Sequence, residues 1–553
     1  MGFRELKDRF LTEKVQGKLA AYSSLASLAL LSGSLIQFKS LNLGPYGLIH
    51  DLPLLYFASV LMSLLSGFVT AGLKEKRDLL QIFNYIMLLA ALWLVPILFE
   101  GTPRFASAYK TIGFVEYVYR EGRLEPANWE LFYHNWPGFS LLFGAMWQIA
   151  GMGEIYPLVQ YYPFVLHLIM LPVLFWLFKL PALNIQAPNA WYLGGAFYLL
   201  ANFINQDYFC PQSMTYFLLS VFITLLVDRS RWLTGLNRAL GYKVSAILII
   251  IALALSHILS SLVALGFLMV FSLFDRKRFV NLVLLGIIVV IAWNIYGADV
   301  YFQAHFKNIT ENLAVAQKTW NYNVENRVNG SAEHVIVNKI RIVYAASMIL
   351  CGFVGFLLAI KRVERKLLLD LIKVSGVSVC VAGSFIYGGE SFMRAYLFLL
   401  LPLGFFCLSY GQHRKLLIPL CIFCMLAAPF KLIAHYGNEH VDYISPGTIR
   451  GADFLSIHAS EGYAVGYYGI LGNTKYTENF ISLDLELFDV ENLPEKKQGE
   501  NYYLGLGRRE RNYWQIFYDE ASYIDSLDSK LRKDKRYILF YSNGDINLYY
   551  INI

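Results

Sequence analysis

Apolar runs of about the length of a bilayer crossing recur along the chain, separated by short polar breaks. They lie at about 19–36, 54–73, 79–99, 156–178, 190–203 and 213–227. The stretch 244–274 is too long for one crossing, and Ser256-His257 at its centre predicts the turn of a tight hairpin. Further runs follow at about 280–295, 343–360, 369–386, 395–408 and 416–434. The pattern predicts a mainly α, polytopic transmembrane helical bundle of about 13 spans. The first run reads as an anchor and not as a cleaved leader.

The basic clusters test that count. Loops rich in Lys and Arg stay on the cytoplasmic side. The clusters at 74–77, 228–231, 275–278, 361–366 and 413–415 all fall on one side. A miscounted crossing would throw the later ones outside. A cytoplasmic N-terminus and an outward C-terminus follow, in a multi-pass protein of the plasma membrane. Residues 1–435 form the transmembrane domain. Residues 436–553 form a small extracytoplasmic α/β domain, with a helix over 510–531. That domain ends in a strand at 537–541, a turn at Ser542-Asn-Gly-Asp545 and a strand at 546–553, a hairpin signature.

The first large outer segment, 100–151, carries a different pattern. Ala108, Ile112, Val115 and Tyr119 recur at helical spacing, with Lys110, Glu116 and Arg120 between them. This predicts an amphipathic helix lying on the membrane plane. The run 137–151 is too short to cross and predicts a second interfacial helix. The two would roof an outer cavity, with Tyr133-His-Asn-Trp-Pro-Gly-Phe139 between them.

Composition agrees. The chain is 56% hydrophobic and 16% charged, with mean hydropathy +0.45, which excludes disorder and an ordinary soluble enzyme. The 47 Lys+Arg against 40 Asp+Glu leave +7. In a membrane protein that excess is a topology signal, so no nucleic-acid partner is implied. Five of the six Cys lie in apolar runs, and the lone Cys421-Ile-Phe-Cys424 has no second pair to make a zinc site.

Two further polar clusters interrupt the apolar pattern at the outer face. Asn205-Gln-Asp-Tyr-Phe-Cys-Pro-Gln212 includes Asp207, and an ionisable group at that depth is costly unless paired or functional. Tyr387-Gly-Gly-Glu-Ser-Phe-Met-Arg394 places Glu390 one helical turn before Arg394, whose planar fork matches a phosphate.

The layout, together with His134-Asn-Trp-Pro-Gly-Phe139, Asn205–Gln212 and Tyr541-Ser-Asn-Gly-Asp-Ile546, resembles the GT-C superfamily, in particular its archaeal and actinobacterial members. These are integral membrane glycosyltransferases that take sugars from polyprenyl-phosphate carriers. The resemblance covers most of the chain, although two extra spans precede the key loop. It implies an inverting transfer on the outer face, in which an acceptor hydroxyl attacks the anomeric carbon and the lipid phosphate leaves. The partners implied are a polyprenyl-phosphate sugar donor, a glycan, lipid-linked oligosaccharide or protein acceptor, and membrane lipids. A divalent metal, Mg or Mn, is the implied cofactor.

The family generally carries an Asp early in the first outer loop, but 101–135 contains none. The general base then falls to Glu100, where the span exits, or to Asp207. Glu116, Glu121, Glu125 and Glu130 are the other carboxylates of the loop. Arg104, Lys110 or Arg394 would hold phosphate, and Tyr133 and Trp136 would stack on a sugar. His134, Gln206 and Glu390 complete the substrate-binding set.

Plainer readings accompany these. Glu100 marks a water boundary, Asp207 caps the sixth span, and Glu390 and Arg394 form an i,i+4 pair. His134 bonds a carbonyl, and His257 is structural. Two sequons, Asn308-Ile-Thr310 and Asn329-Gly-Ser331, fall in the outer loop at 297–340. Three rival functions stand beside transfer: a lipid-linked glycan polymerase, a flippase, and a catalytically inactive glycan-binding protein. Spans read as free of mid-span charge, without internal repeats, count against a transporter.

Overall fold

A computed structural model describes residues 13–180, 188–228, 236–303, 329–383, 390–466, 480–484, 501–520 and 522–552. Among these residues, thirteen helices coincide with the thirteen apolar runs. They are α1 (Glu13–Gln37), α2 (Leu54–Ala71), α3 (Asp78–Glu100), α6 (Tyr156–Phe178), α7 (Trp191–Ala201), α8 (Pro211–Val227), α9 (Leu236–Ser256), α10 (Ile258–Phe274), α11 (Arg276–Gly297), α12 (Ala332–Ala359), α13 (Arg365–Ala382), α14 (Ser391–Cys407) and α15 (Arg414–Tyr436). Between α3 and α6 stand α4 (Ala106–Glu121) and α5 (Gly138–Ala150). Eight of the thirteen, α15 among them within a longer segment, are long and apolar enough to cross a membrane by length and composition.

Helix α7 departs from the expected crossing. It has only 11 residues, all buried, and spans about 16 Å against a hydrocarbon core of about 30 Å. A helix enclosed by other helices need not match the lipid. It packs on α14 through Gly194 and Gly404. A Cβ on Gly194 would lie 2.7 Å from the Gly404 carbonyl oxygen, so two small residues let the backbones touch.

One local distortion shapes the site. Helix α3 passes through a π turn at Ala90–Leu94, just before Pro96. Proline has no N–H, so the carbonyls it would serve four or five residues back, Leu92 and Ala91, lose their partner. Tyr436 donates to the Leu92 carbonyl at 2.7 Å, and Tyr56 to that of Ala91 at 2.7 Å. The same turn carries Trp93, buried and aimed at the centre of the bundle.

The chain after α15 makes a short turn, α16 (Glu439–Asp442), then α17 (Pro446–His458) and a five-stranded sheet of order β2-β1-β3-β5-β4. Strands β1 (Gly462–Gly466), β2 (Phe480–Asp484) and β3 (Tyr502–Gly507) are parallel. Strands β4 (Tyr537–Ser542) and β5 (Ile546–Ile551) form the expected antiparallel hairpin, and β5 pairs antiparallel with β3. The expected helix over 510–531 is two helices, α18 (Arg508–Tyr518) and α19 (Tyr523–Leu531). Asp519 ends the first in the left-handed region at φ 59°, a conformation that a helix interior cannot accommodate.

The sheet alternates in the usual period of two. Tyr502, Leu504 and Leu506 face α18 and α19, and Tyr503 faces the membrane domain. That second contact corrects the expectation for α4. Its Ala108, Tyr109, Ile112 and Val115 pack into a core shared with α5, α17 and the sheet, so protein covers the apolar face of α4. Helix α5 keeps an exposed apolar face, with Leu141, Leu142, Met146 and Ile149, as an interfacial helix should.

Candidate functional site

The carboxylates, cations and aromatics singled out in the sequence are dispersed by the fold. Tyr133 lies edge-on to Phe114 at 5.1 Å. Trp136 is buried against Tyr301 and Phe302. His134 is buried too, its Nε2 on the Phe114 carbonyl at 3.1 Å while Nδ1 accepts from the Glu125 N–H. Burial pushes its pKa below the usual histidine value, which keeps it neutral. Lys110 sits over the Phe132 ring at 5.2 Å. The expected roof between α4 and α5 is therefore packed structure. Sequon Asn308 and residues 387–389 lie outside the described residues. Ser331 of the second sequon caps α12.

Asp207 does not cap α8, whose N-cap is Cys210. Its carboxylate accepts from Trp93 Nε1 at 2.6 Å and His167 Nε2 at 3.0 Å, 5% exposed. Burial works against its charge, but the His167 and Trp93 bonds outweigh it and hold its pKa below the carboxylate norm. His257 caps α10 by accepting from the Ser260 N–H. Arg394 pairs with Glu390 at 2.6 Å, one helical turn away.

Glu100 belongs to a buried charged layer. Arg104 forks onto Glu439, with Nε–Oε1 at 2.6 Å and Nη2 on Oε2, and its Nε stands 3.6 Å from Glu100. The guanidinium is held between the rings of Phe105, 4.7 Å, and Tyr436, 4.6 Å. Its Nη1 meets His435 Nε2 at 3.3 Å. Burial opposes the arginine charge, yet Glu439 and Glu100 hold its pKa above its ordinary value. Deeper still, Lys431 lies over Trp93 at 4.0 Å, fully buried, with no hydrogen-bond acceptor among the described residues. Lys431 corrects the reading that spans lack internal charge. It was visible inside the run 416–434, as the intramembrane cation that most often signals function.

The open space lies above this layer. A cavity of about 420 Å³ is bordered by Phe105, residues 203–206 between α7 and α8, one face of α12, the start of α14, the 438–442 segment and Phe517 of α18. Of the predicted residues, Gln206 and Glu390 line it. Glu100, Arg104 and Asp207 do not. Asn205, from the polar cluster 205–212, does, and so do Asp442, Arg341 and Asn338, which sequence reasoning missed. The Asp442 carbonyl accepts from the Phe105 N–H at 2.9 Å, tying the wall of the cavity to the loop that carries Arg104.

Helix α12 separates two environments. His334, Asn338 and Arg341 face the cavity, at i, i+4 and i+7. Ile336, Lys339, Ile340 and Val343 line a groove of about 440 Å³ between α12 and α15, completed by Phe423 and Leu426. Apart from Lys339 and hydroxyl groups, its wall is hydrocarbon.

The resemblance implies a divalent ion. Among the described residues, no three His, Cys, Asp or Glu are arranged to hold one. Glu100 and Glu439 face Arg104, and Glu390 pairs with Arg394.

No protein-family model matches the chain, and no curated protein sequence does either. Among solved structures, it is similar to ArnT from Cupriavidus metallidurans bound to undecaprenyl phosphate. Identity is 11%, coverage is 85% of this chain and 97% of that one, and the TM-score is 0.49. The apo state of the same ArnT gives 13% identity, 85% and 98% coverage, and a TM-score of 0.44. At those values no residue's role is transferred.

Proposed function

We propose that this chain is a GT-C-type membrane glycosyltransferase that moves a sugar from a polyprenyl-phosphate donor to an acceptor hydroxyl. The transfer takes place in the cavity above the charged layer, with the basic-cluster end of the bundle cytoplasmic and the sheet domain outside. One observation carries the reading. Helix α12 presents a polar wall to the cavity and a hydrocarbon groove to the flank of the bundle. A lipid-linked sugar needs both at once, a dry track for the chain and hydrogen-bonding groups for the headgroup.

The groups on the cavity wall suit that chemistry. The acceptor oxygen bonds to the anomeric carbon, and its proton passes to Asp442. The bond from that carbon to the phosphate oxygen breaks, and the phosphate departs with both electrons. Arg341, already hydrogen-bonded to Asn338 Oδ1 at 3.1 Å, supplies positive charge for the departing phosphate. Attack opposite the leaving group inverts the anomeric centre. Glu100, Arg104 and Glu439 position this wall from beneath, and Asp207 braces Trp93.

The test is mass spectrometry of surface glycans and polyprenyl-linked sugars in cells lacking the gene, with wild type or Asp442→Asn restored. Loss of one sugar with accumulation of its donor lipid is expected in the deletion. Asp442→Asn, at normal protein level, should lower transfer about 10²–10⁴-fold. Full restoration by Asp442→Asn would dismiss it as the base. Accumulation of a complete lipid-linked glycan would point to polymerisation or flipping instead.

A further inference from the structure

We infer that the cavity recognises a pyranose ring by stacking its C–H face on Phe105 and Phe517, which makes the C-terminal domain part of the sugar site. This rests on the reading of the cavity as the place of sugar transfer, and it adds the groups that select the sugar. Tyr133 and Trp136, the aromatics expected to do this, are packed away from the cavity. Among the described lining residues, the phenyl rings are those of Phe105, Phe203 and Phe517. Phe203 is 5% exposed and spent on Tyr344 and Tyr396. Phe105 and Phe517 are left.

Phe105 is held in place at a conformational cost. Its φ is 67°, a region that bulky side chains rarely occupy. The N–H bond to the Asp442 carbonyl, at 2.9 Å, fixes the backbone. The Arg104 guanidinium backs the ring at 4.7 Å, and Tyr208 braces it at 5.2 Å. A strained, braced ring that borders open space is built to present a surface.

Phe517 comes from a different domain, yet it is anchored as firmly. It packs edge-on to His334 at 5.0 Å and against Tyr513 at 4.7 Å, and remains 38% exposed. The residue before it, Ile516, accepts from the Ser331 N–H at 2.8 Å. Gly330, at φ 111°, allows that approach, since a Cβ there would lie 2.2 Å from the Ile516 oxygen. Asn512, on the same helix, donates to the His440 carbonyl at 2.7 Å. One attachment to the start of α12 and one to α16 thus fix the ring at the cavity.

The remaining wall suits the polar rim of the same ligand. Asn205, Gln206 and Asn338 carry amides that donate and accept, and Asp442 and Glu390 carry acceptors. A pyranose has an apolar patch of C–H groups on one face and hydroxyls around its edge. The negative face of an aromatic ring attracts that patch, and the amides bind the edge.

The test uses the purified full-length chain in detergent and four probes, the methyl glycosides of mannose, galactose, glucose and N-acetylglucosamine. Saturation-transfer NMR should detect at least one with wild type, strongest at protons of one ring face. Phe105→Leu and Phe517→Leu, checked for unchanged melting, should each weaken binding about fivefold or more. Phe517→Tyr keeps the ring and should restore it. Phe274→Leu, exposed at the opposite end of the bundle, should change nothing. Wild-type binding that both leucine variants retain would overturn the stacking site while leaving sugar transfer standing. Absence of binding for all four probes in wild type would overturn the stacking proposal. The glycan profile of the deletion then judges the transferase reading by itself.

Discussion

Arg104 shows how far a side chain's role depends on what the fold brings to it. In the sequence it is a cation near a span end, a natural phosphate ligand. In the structure it pairs with Glu439 and stands beside Glu100, both buried. Removing one partner of such a cluster leaves uncompensated charge in a low dielectric. Arg104→Met should therefore destabilise the protein by about 3–5 kcal/mol, read as a lower melting temperature in detergent. Adding Glu439→Leu should return part of the loss. A double variant no more stable than the single one would show that the pair is not the source. Asp207 was legible as a costly buried acid, but its partners Trp93 and His167 were not. Their spacings in the chain, 114 and 40 residues, carry no local signal.

At the scale of elements, hydropathy placed the thirteen apolar helices because it is a local property of the chain. Propensity placed the ends less well. The single helix expected over 510–531 breaks at Asp519, and α4 is covered by a domain that its amphipathic pattern could not name. The π turn of α3 offers a sharper test. Tyr436→Phe keeps the ring over Arg104 and removes only the hydroxyl that serves the Leu92 carbonyl. A buried carbonyl left unpaired costs about 1–3 kcal/mol, and the melting temperature should fall accordingly. An unchanged melting temperature would mean that the proline-induced gap is satisfied in another way.

For the whole molecule, the alternation of basic clusters predicts which end faces which compartment. Single cysteines at Lys76 and Asp534, in a chain with its six native cysteines replaced by serine, should label differently. An impermeant reagent on intact cells should reach position 534, and position 76 only after permeabilisation. The reverse pattern would invert the proposed orientation and place the cavity inside the cell.

The sequence by itself determined where the thirteen apolar helices lie and the closing hairpin of the C-terminal sheet. Each of these follows from the solvent preference of neighbouring residues, which needs no knowledge of distant contacts. Tertiary structure alone decided which polar groups share a site. Phe105, Arg341, Asp442 and Phe517 come from a loop, a long helix, a turn and a separate domain. Their convergence is set by how the helices cross and by where the sheet docks, and no residue pattern encodes that in its own neighbourhood. The same packing closed Glu100 and Asp207 away from open space, because charges inside an apolar bundle persist only where partners enclose them.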